Sequence, residues 1–214
     1  MSGRSWPGPM TERHTGGGLR RPVIVIAAGG SGSRMGGDKA GRVLAGQRLI
    51  DHAIAWGRRH GEGVAIAGAS GAAPDSSGLP LLTDRYADAG PIAALHSAMG
   101  HAANIDHSHV ALIACDTPFL PETLIDRLVA AIGPAGAALP RRDGRVHTLA
   151  GLWRVDPIGL ERWIAAGGRS PMGYAEAAGL VLVDWAADGE DPFANLNTPE
   201  DLAAAERRIR AGGR

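Results

Sequence analysis

Arg34, Lys39 and Asp116 are the side chains in this sequence best suited to handle phosphates. The first two belong to the run Ala27-Ala28-Gly29-Gly30-Ser31-Gly32-Ser33-Arg34-Met35-Gly36-Gly37-Asp38-Lys39, and the third to Cys115-Asp116-Thr117-Pro118. Glycines let backbone N–H groups approach phosphate oxygens closely, and a cluster of such groups forms an anion nest. Arg34 and Lys39 add two positive charges at the same place. Asp116 directly follows the apolar run Val110–Cys115. A carboxylate there can hold Mg²⁺, which binds through one or two carboxylates plus substrate phosphates; it can also serve as a turn or helix cap. Cys115 reads as a small buried filler, because no histidine stands beside it to activate a thiolate.

The glycine run matches neither common nucleotide loop. A P-loop requires G-x-x-x-x-G-K-[ST], whereas Lys39 follows Asp38 and Ala40 stands where the hydroxyl should be. A dinucleotide loop requires G-x-G-x-x-G, and counting from Gly30 its last glycine falls on Met35. The ribose-binding acid expected after the second strand is replaced by Ala67-Gly68-Ala69-Ser70.

The elements that must position these groups alternate in type. Val23–Ala28 and Val110–Cys115 are six-residue apolar runs, which read as strands buried on both faces, the habit of a parallel sheet. Short strands are expected at 64–67, 79–82, 148–153 and 180–185. Helices are expected at 49–60, from Gly90-Pro91 onward, from Pro121-Glu122 onward, at 158–166 and at 172–178. A last helix starts at Thr198-Pro199-Glu200-Asp201, with an N-cap, an N1 proline and acids in its first turn. Arg142-Asp143-Gly144 has turn chemistry. Alternating strands and helices predict an α/β, three-layer α/β/α domain with a mostly parallel sheet over residues 22–214. Residues 1–21, with five glycines, four arginines and, besides Met1, only Met10 and Leu19 as aliphatics, are expected to be a disordered tail.

Composition narrows the function. The 214 residues carry 22 Lys+Arg against 22 Asp+Glu, a balance that argues against sequence-independent nucleic-acid binding. Six-residue apolar runs fall far short of the ~20 needed to span a bilayer. One cysteine forbids an intrachain disulfide and fits a reducing, cytoplasmic setting. His101, His107 and His109 read as a solvated loop rather than a metal site.

The whole set of motifs resembles the molybdenum cofactor guanylyltransferase family. The glycine run resembles its A-G-G-x-S-x-R-M-G-x-D-K signature. Thr83-Asp84-Arg85 followed by Gly90-Pro91-Ile92-Ala93-Ala94-Leu95 resembles its acid and helix start. Cys115-Asp116-Thr117-Pro118 resembles its C-D-x-P motif, and Phe193-Ala194-Asn195-Leu196-Asn197-Thr198-Pro199-Glu200-Asp201-Leu202 its ending. The motifs occur in order across residues 23–202.

This resemblance implies a Rossmann-like nucleotidyltransferase that uses GTP and molybdenum-molybdopterin as substrates with Mg²⁺ as cofactor. It implies that Ala27, Ala28, Gly29, Lys39, Asp84 and Asp116 bind the nucleotide, with Asp116 holding the metal. Lys39, Arg34 and Asp116 would carry the catalysis. His147, Arg169, Asn195 and Asn197 would lie on the molybdopterin side. Transient contact with cofactor-insertion proteins or molybdoenzymes would follow; nucleic acid and membrane would not be partners. The chain departs from the family pattern at Ala28, at Thr148 in place of a proline after the histidine, and at Ala67 in place of an asparagine. An A-A-G form also occurs in molybdopterin cytidylyltransferases. Cytidylyl transfer, and a non-catalytic nucleotide- or cofactor-binding accessory role, are the alternatives.

Overall fold

Val23–Ala27 (β1) is buried along nearly its whole length, and strand alternation divides its side chains between two cores. Val23 and Val25 point to one face of the sheet, Ile24 and Ile26 to the other. In the computed structural model, which describes residues 19–29, 40–68, 78–86 and 89–212, β1 is the third strand from one edge of a mixed sheet. The elements are β1, β2 (Val43–Leu44), β3 (Gln47–Arg48), α1 (Leu49–His60), β4 (Gly63–Ala67), β5 (Leu81–Leu82), α2 (Pro91–Asn104) and β6 (His109–Ala114). They continue with α3 (Leu124–Ile132), β7 (Ala137–Arg142), β8 (Arg145–Val146), β9 (Ala150–Arg154), α4 (Pro157–Ala165), α5 (Pro171–Ala178), β10 (Leu180–Asp184) and α6 (Pro199–Arg210).

The strand order is β10-β7-β9-β6-β1-β4-β5, with β8 paired to β7. β1 pairs in parallel with β4 and β6, as do β4 with β5 and β7 with β10. β9 runs antiparallel between β6 and β7. One face is covered by α1 and α3 through Ile50, Ile54, Leu124 and Leu128. The other is covered by α2, α4 and α5 through Ile92, Leu95, Met99, Leu160 and Tyr174. This is the expected three-layer α/β/α architecture. A smaller cluster of Leu44, Leu49, Leu196 and Ala205 seats α6 against the β2–β3 hairpin.

Most predicted elements match within one or two residues, and three differ for physical reasons. The helix after Pro121 begins at Leu124, because a turn closed by Leu124 N–H to the Pro121 carbonyl comes first. The strand expected from 79 is confined to Leu81–Leu82, and the one expected from Thr148 starts at Ala150. β7 lies in a stretch where no strand was expected. Its Pro140 lies beyond Ala137 and Ala138, the residues that pair with β9, so the missing N–H costs no bond on that side. Of the expected tail, residues 1–18 lie outside the described residues; Arg20 pairs with Glu62 at 2.7 Å and Arg21 donates to the Arg59 carbonyl. Among the described residues no helix is long and apolar enough to cross a membrane.

Candidate active site

In an open α/β sheet, ligands bind just outside the carboxyl ends of the strands, and here the ends of β1, β4, β5 and β6 converge. Ala28 N–H donates to the Ala67 carbonyl at 2.9 Å and Cys115 N–H to the Ala27 carbonyl at 3.2 Å, so three strand ends are laced together. Gly29 and Gly68 touch beyond them: a Cβ on Gly68 would stand 2.8 Å from Gly29 Cα. Gly68 also has φ +80°, a region that favours glycine. The strand ends can therefore approach as closely as bare backbone allows.

Asp84 follows β5 and reaches back over this contact, since the same Gly68 Cβ would lie 3.3 Å from Asp84 Oδ2. Burial pushes the Asp84 carboxyl above its usual range, opposed by a hydrogen bond from Ser97 Oγ and by the charge of His96.

Asp116 is held at the end of β6, only 8% exposed. Its Oδ1 accepts from Asn195 Nδ2 at 2.8 Å, and its carbonyl accepts from Leu196 N–H at 2.9 Å. Residues 79 positions apart thus meet at one sheet edge. The 191–198 segment that delivers Asn195 is pinned by Arg142, a 5% exposed arginine. Its guanidinium donates to the carbonyls of Ala187 and Gly189 and lies 3.3 Å from Asp191. Asp191 in turn accepts from Phe193 N–H.

Beside Asn195 lies a cavity of about 140 Å³ lined by Thr117, Arg145, His147, Thr148, Phe193 and Asn195, among others. His147 stacks on Phe193 with ring centroids 4.6 Å apart. Burial lowers the His147 pKa, and the charges of Arg145 and Arg142 act in the same direction against Asp191. The cavity therefore favours a neutral imidazole with a cation, Arg145, beside it.

Not every predicted site residue joins this edge by a described contact. Asn197 is exposed, and its backbone N–H donates to Asp201 at the start of α6. Arg169 is exposed between α4 and α5, where its guanidinium donates to the carbonyls of Ile164 and Gly168. Arg34 and Lys39 lie outside the described residues. Cys115 is buried in the core, as expected of a filler. Ser97, Arg142 and Arg145 were not singled out from the sequence. The Asp143-Gly144 turn was the available signal for the last two, because it folds Arg145 back opposite Arg142.

Comparison with known proteins bears on this arrangement. Residues 24–184 match the family model described as a MobA-like NTP transferase domain. Molybdenum cofactor guanylyltransferase of Rhodobacter capsulatus is 41% identical over 189 residues, covering 87% of this chain and 95% of that protein. That of Rhizobium johnstonii is 38% identical over 198 residues, covering 87% and 92%.

The chain belongs to the molybdenum cofactor guanylyltransferase family.

Family membership makes it a nucleotidyltransferase. Solved structures agree on the fold. Molybdopterin-guanine dinucleotide biosynthesis protein A from Archaeoglobus fulgidus superimposes with a TM-score of 0.70 at 22% identity, covering 88% of this chain and 98% of that one. A 2-C-methyl-D-erythritol 4-phosphate cytidylyltransferase from Thermus thermophilus gives 0.67 at 20% identity, covering 88% and 99%. The guanylyltransferase family and the cytidylyltransferase thus share one scaffold, so base choice rests with side chains and loops.

Proposed function

We propose that this chain transfers GMP from GTP to the terminal phosphate of molybdenum-molybdopterin, forming molybdopterin guanine dinucleotide and pyrophosphate. The observation that carries this reading is the Asp116–Asn195 pair. It stands between the laced ends of β1 and β4 on one side and the His147 cavity on the other, the arrangement a donor–acceptor transfer needs.

An oxygen of the acceptor phosphate forms a bond to the α-phosphorus of GTP. The bond from that phosphorus to the α,β-bridging oxygen breaks, and its electron pair leaves on pyrophosphate. A phosphate monoester with a second pKa near ~6 is already largely ionised at neutral pH, so no side-chain base is required. This agrees with a site whose motifs contain no Ser-His-Asp or Cys-His set. Catalysis is positioning plus charge neutralisation. Ala27, Ala28 and Gly29 offer backbone groups to the nucleotide, with Asp84 beside them. Arg34 and Lys39 bind the triphosphate and offset the charge gathering on the leaving group. His147 and Asn195 line the cavity proposed for the acceptor, and Asn197 and Arg169 are assigned to the same side by the resemblance alone.

The residues present fit Mg²⁺. The donor set is oxygen, a nearly buried carboxylate, and among the described residues no group of three or more His, Cys, Asp or Glu gathers that could complete a metal site from protein alone. Magnesium is commonly held this way, by one or two carboxylates with water and substrate phosphates. Asp116 would hold it. When bound it would polarise the α-phosphate and stabilise the departing pyrophosphate.

A cytoplasmic setting is proposed from the single buried thiol and from substrates of intermediary metabolism; transient contact with a cofactor-insertion protein or molybdoenzyme would take the product onward. The test is a thermal shift with Mg²⁺ and GTP or CTP. Stabilisation follows RT ln(1+[L]/Kd), about 2.7 kcal/mol at a hundredfold excess over Kd, and GTP is expected to give the larger shift. A larger shift with CTP would move the chain to cytidylyl transfer, the outcome that Ala28 favours.

A further inference from the structure

We infer that Ser97, on α2, is a positioning residue that orients the Asp84 carboxylate toward the nucleotide. The inference rests on the nucleotide-side reading of Asp84 and deepens it.

Ser97 Oγ lies 3.1 Å from Asp84 Oδ1 and 3.2 Å from the Thr83 carbonyl. The single hydroxyl proton is shared between the two acceptors, so Ser97 ties both the side chain and the backbone of the 83–84 step to α2. Among the described residues, Ser97 Oγ is the side-chain donor bonded to this carboxylate. Its neighbour Arg85 is turned away, its guanidinium 3.3 Å from Glu161 on α4. The titratable groups of α2 are His96 and His101; His96 is buried at 5% exposure with its Nε2 spent on Glu161 at 3.0 Å, and His101 lies one turn beyond Ser97. Just past β4, the Gly68 backbone lies beside the carboxylate. His96 acts on Asp84 through its charge, whereas Ser97 is the side chain that hydrogen-bonds it.

The consequence is chemical. Burial favours the protonated carboxyl, and a hydrogen bond to the charged form opposes it. A carboxylate facing ribose hydroxyls or base N–H groups must be an acceptor, so the protonated form binds less well. Removing the Ser97 hydroxyl leaves Asp84 half-buried, without its donor and free to swing. Hydrogen bonds to charged groups are among the stronger ones.

The experiment measures GTP affinity and single-turnover transfer in the full-length chain with Mg²⁺, across pH 5 to 8, for wild type, Ser97→Ala, Ser97→Thr and Asp84→Asn. Ser97→Ala is expected to weaken GTP binding roughly 5- to 20-fold at pH 7. Its transfer rate at saturating GTP should change less than twofold. The acid limb of GTP binding should move to higher pH, because Asp84 protonates more readily. Ser97→Thr keeps the hydroxyl and should restore affinity to within about twofold. A structural role alone would lower the melting temperature without moving the acid limb. If Asp84→Asn binds GTP like wild type, the nucleotide-side reading of Asp84 fails and the inference falls with it. If Asp84→Asn weakens binding but Ser97→Ala leaves affinity and acid limb unchanged, the inference alone is overturned.

Discussion

Replacing Gly68 by alanine tests whether the active-site edge depends on bare backbone. Gly68 has φ +80°, and an added Cβ would stand 2.8 Å from Gly29 Cα and 2.9 Å from Gly29 N. Holding an L-residue at that φ costs about 1–2 kcal/mol. Neither Gly29 atom is the end of a flexible side chain, so the strand ends must part. Forcing an extra carbon into packed surroundings typically costs another ~1–3 kcal/mol. The expected loss is about 2–5 kcal/mol, read as a lower urea midpoint with an unchanged slope. Gly29 opens the loop proposed to bind the nucleotide, and Asp84 Oδ2 lies 3.3 Å from the same added carbon, so GTP affinity should fall severalfold as well. Gly78→Ala separates the two causes: its φ is +94° but nothing lies within 4 Å, so it should cost only ~1–2 kcal/mol and leave GTP binding intact. A Gly68→Ala protein within about 0.5 kcal/mol of wild type and binding GTP normally would refute the packing account.

Two further outcomes follow from the fold. His101 and His109, expected in a solvated loop, lie instead in α2 and at the start of β6, where His109 is 3% exposed because its strand is covered on both faces. Burial, helped by the charge of Arg154, lowers the His109 pKa to about 4, so the native state binds fewer protons than the unfolded chain between that value and about 6.5. The His109 contribution is therefore complete above pH 6.5 and is lost as pH falls toward 4. The loss is at most ~3 kcal/mol, and about 1–2 if water reaches the strand end. Urea melts of His109→Gln should show a shallower fall in stability across that window than wild type, and parallel curves would contradict it. Removing residues 1–21 deletes the exposed Arg20–Glu62 pair, worth ~0–1 kcal/mol, and should leave transfer within a few-fold; a tenfold drop would make the segment functional.

The legible parts of this sequence were those where one local pattern decides the outcome. The apolar runs of β1 and β6 could only be buried strands, and Leu49–His60 carries its buried residues on one helical side. Thr198 and Asp201 form the expected N-cap with reciprocal bonds. β7 was hidden because Pro140 argues against a central strand, and only the pairing register makes it harmless. The β2–β3 hairpin was hidden because each strand has two residues and Ala45-Gly46 takes the positive-φ turn without the usual Asn-Gly signal.

The site divides in the same way. Asp116 stands out by its place after a buried strand, whereas its bond to Asn195 joins residues far apart in sequence, a proximity that no spacing rule contains. Arg142 has turn neighbours in sequence, yet it is buried because three carbonyls and Asp191 converge on it from the 187–191 segment. Ser97 falls among the apolar residues of α2 and gains meaning only once Asp84 folds over it.

The central claim is that Asp116 serves transfer by its negative charge rather than by shape. Asp116→Asn removes the charge while leaving an amide oxygen that can still accept from Asn195 Nδ2, so the local contact survives. The decisive measurement is single-turnover formation of the guanine dinucleotide at saturating GTP and Mg²⁺, with circular dichroism as the folding control. The account predicts a folded protein whose transfer falls by at least ~100-fold, about 2.7 kcal/mol of transition-state stabilisation, and is not recovered by excess GTP. A folded Asp116→Asn protein that turns over within threefold of wild type would contradict it.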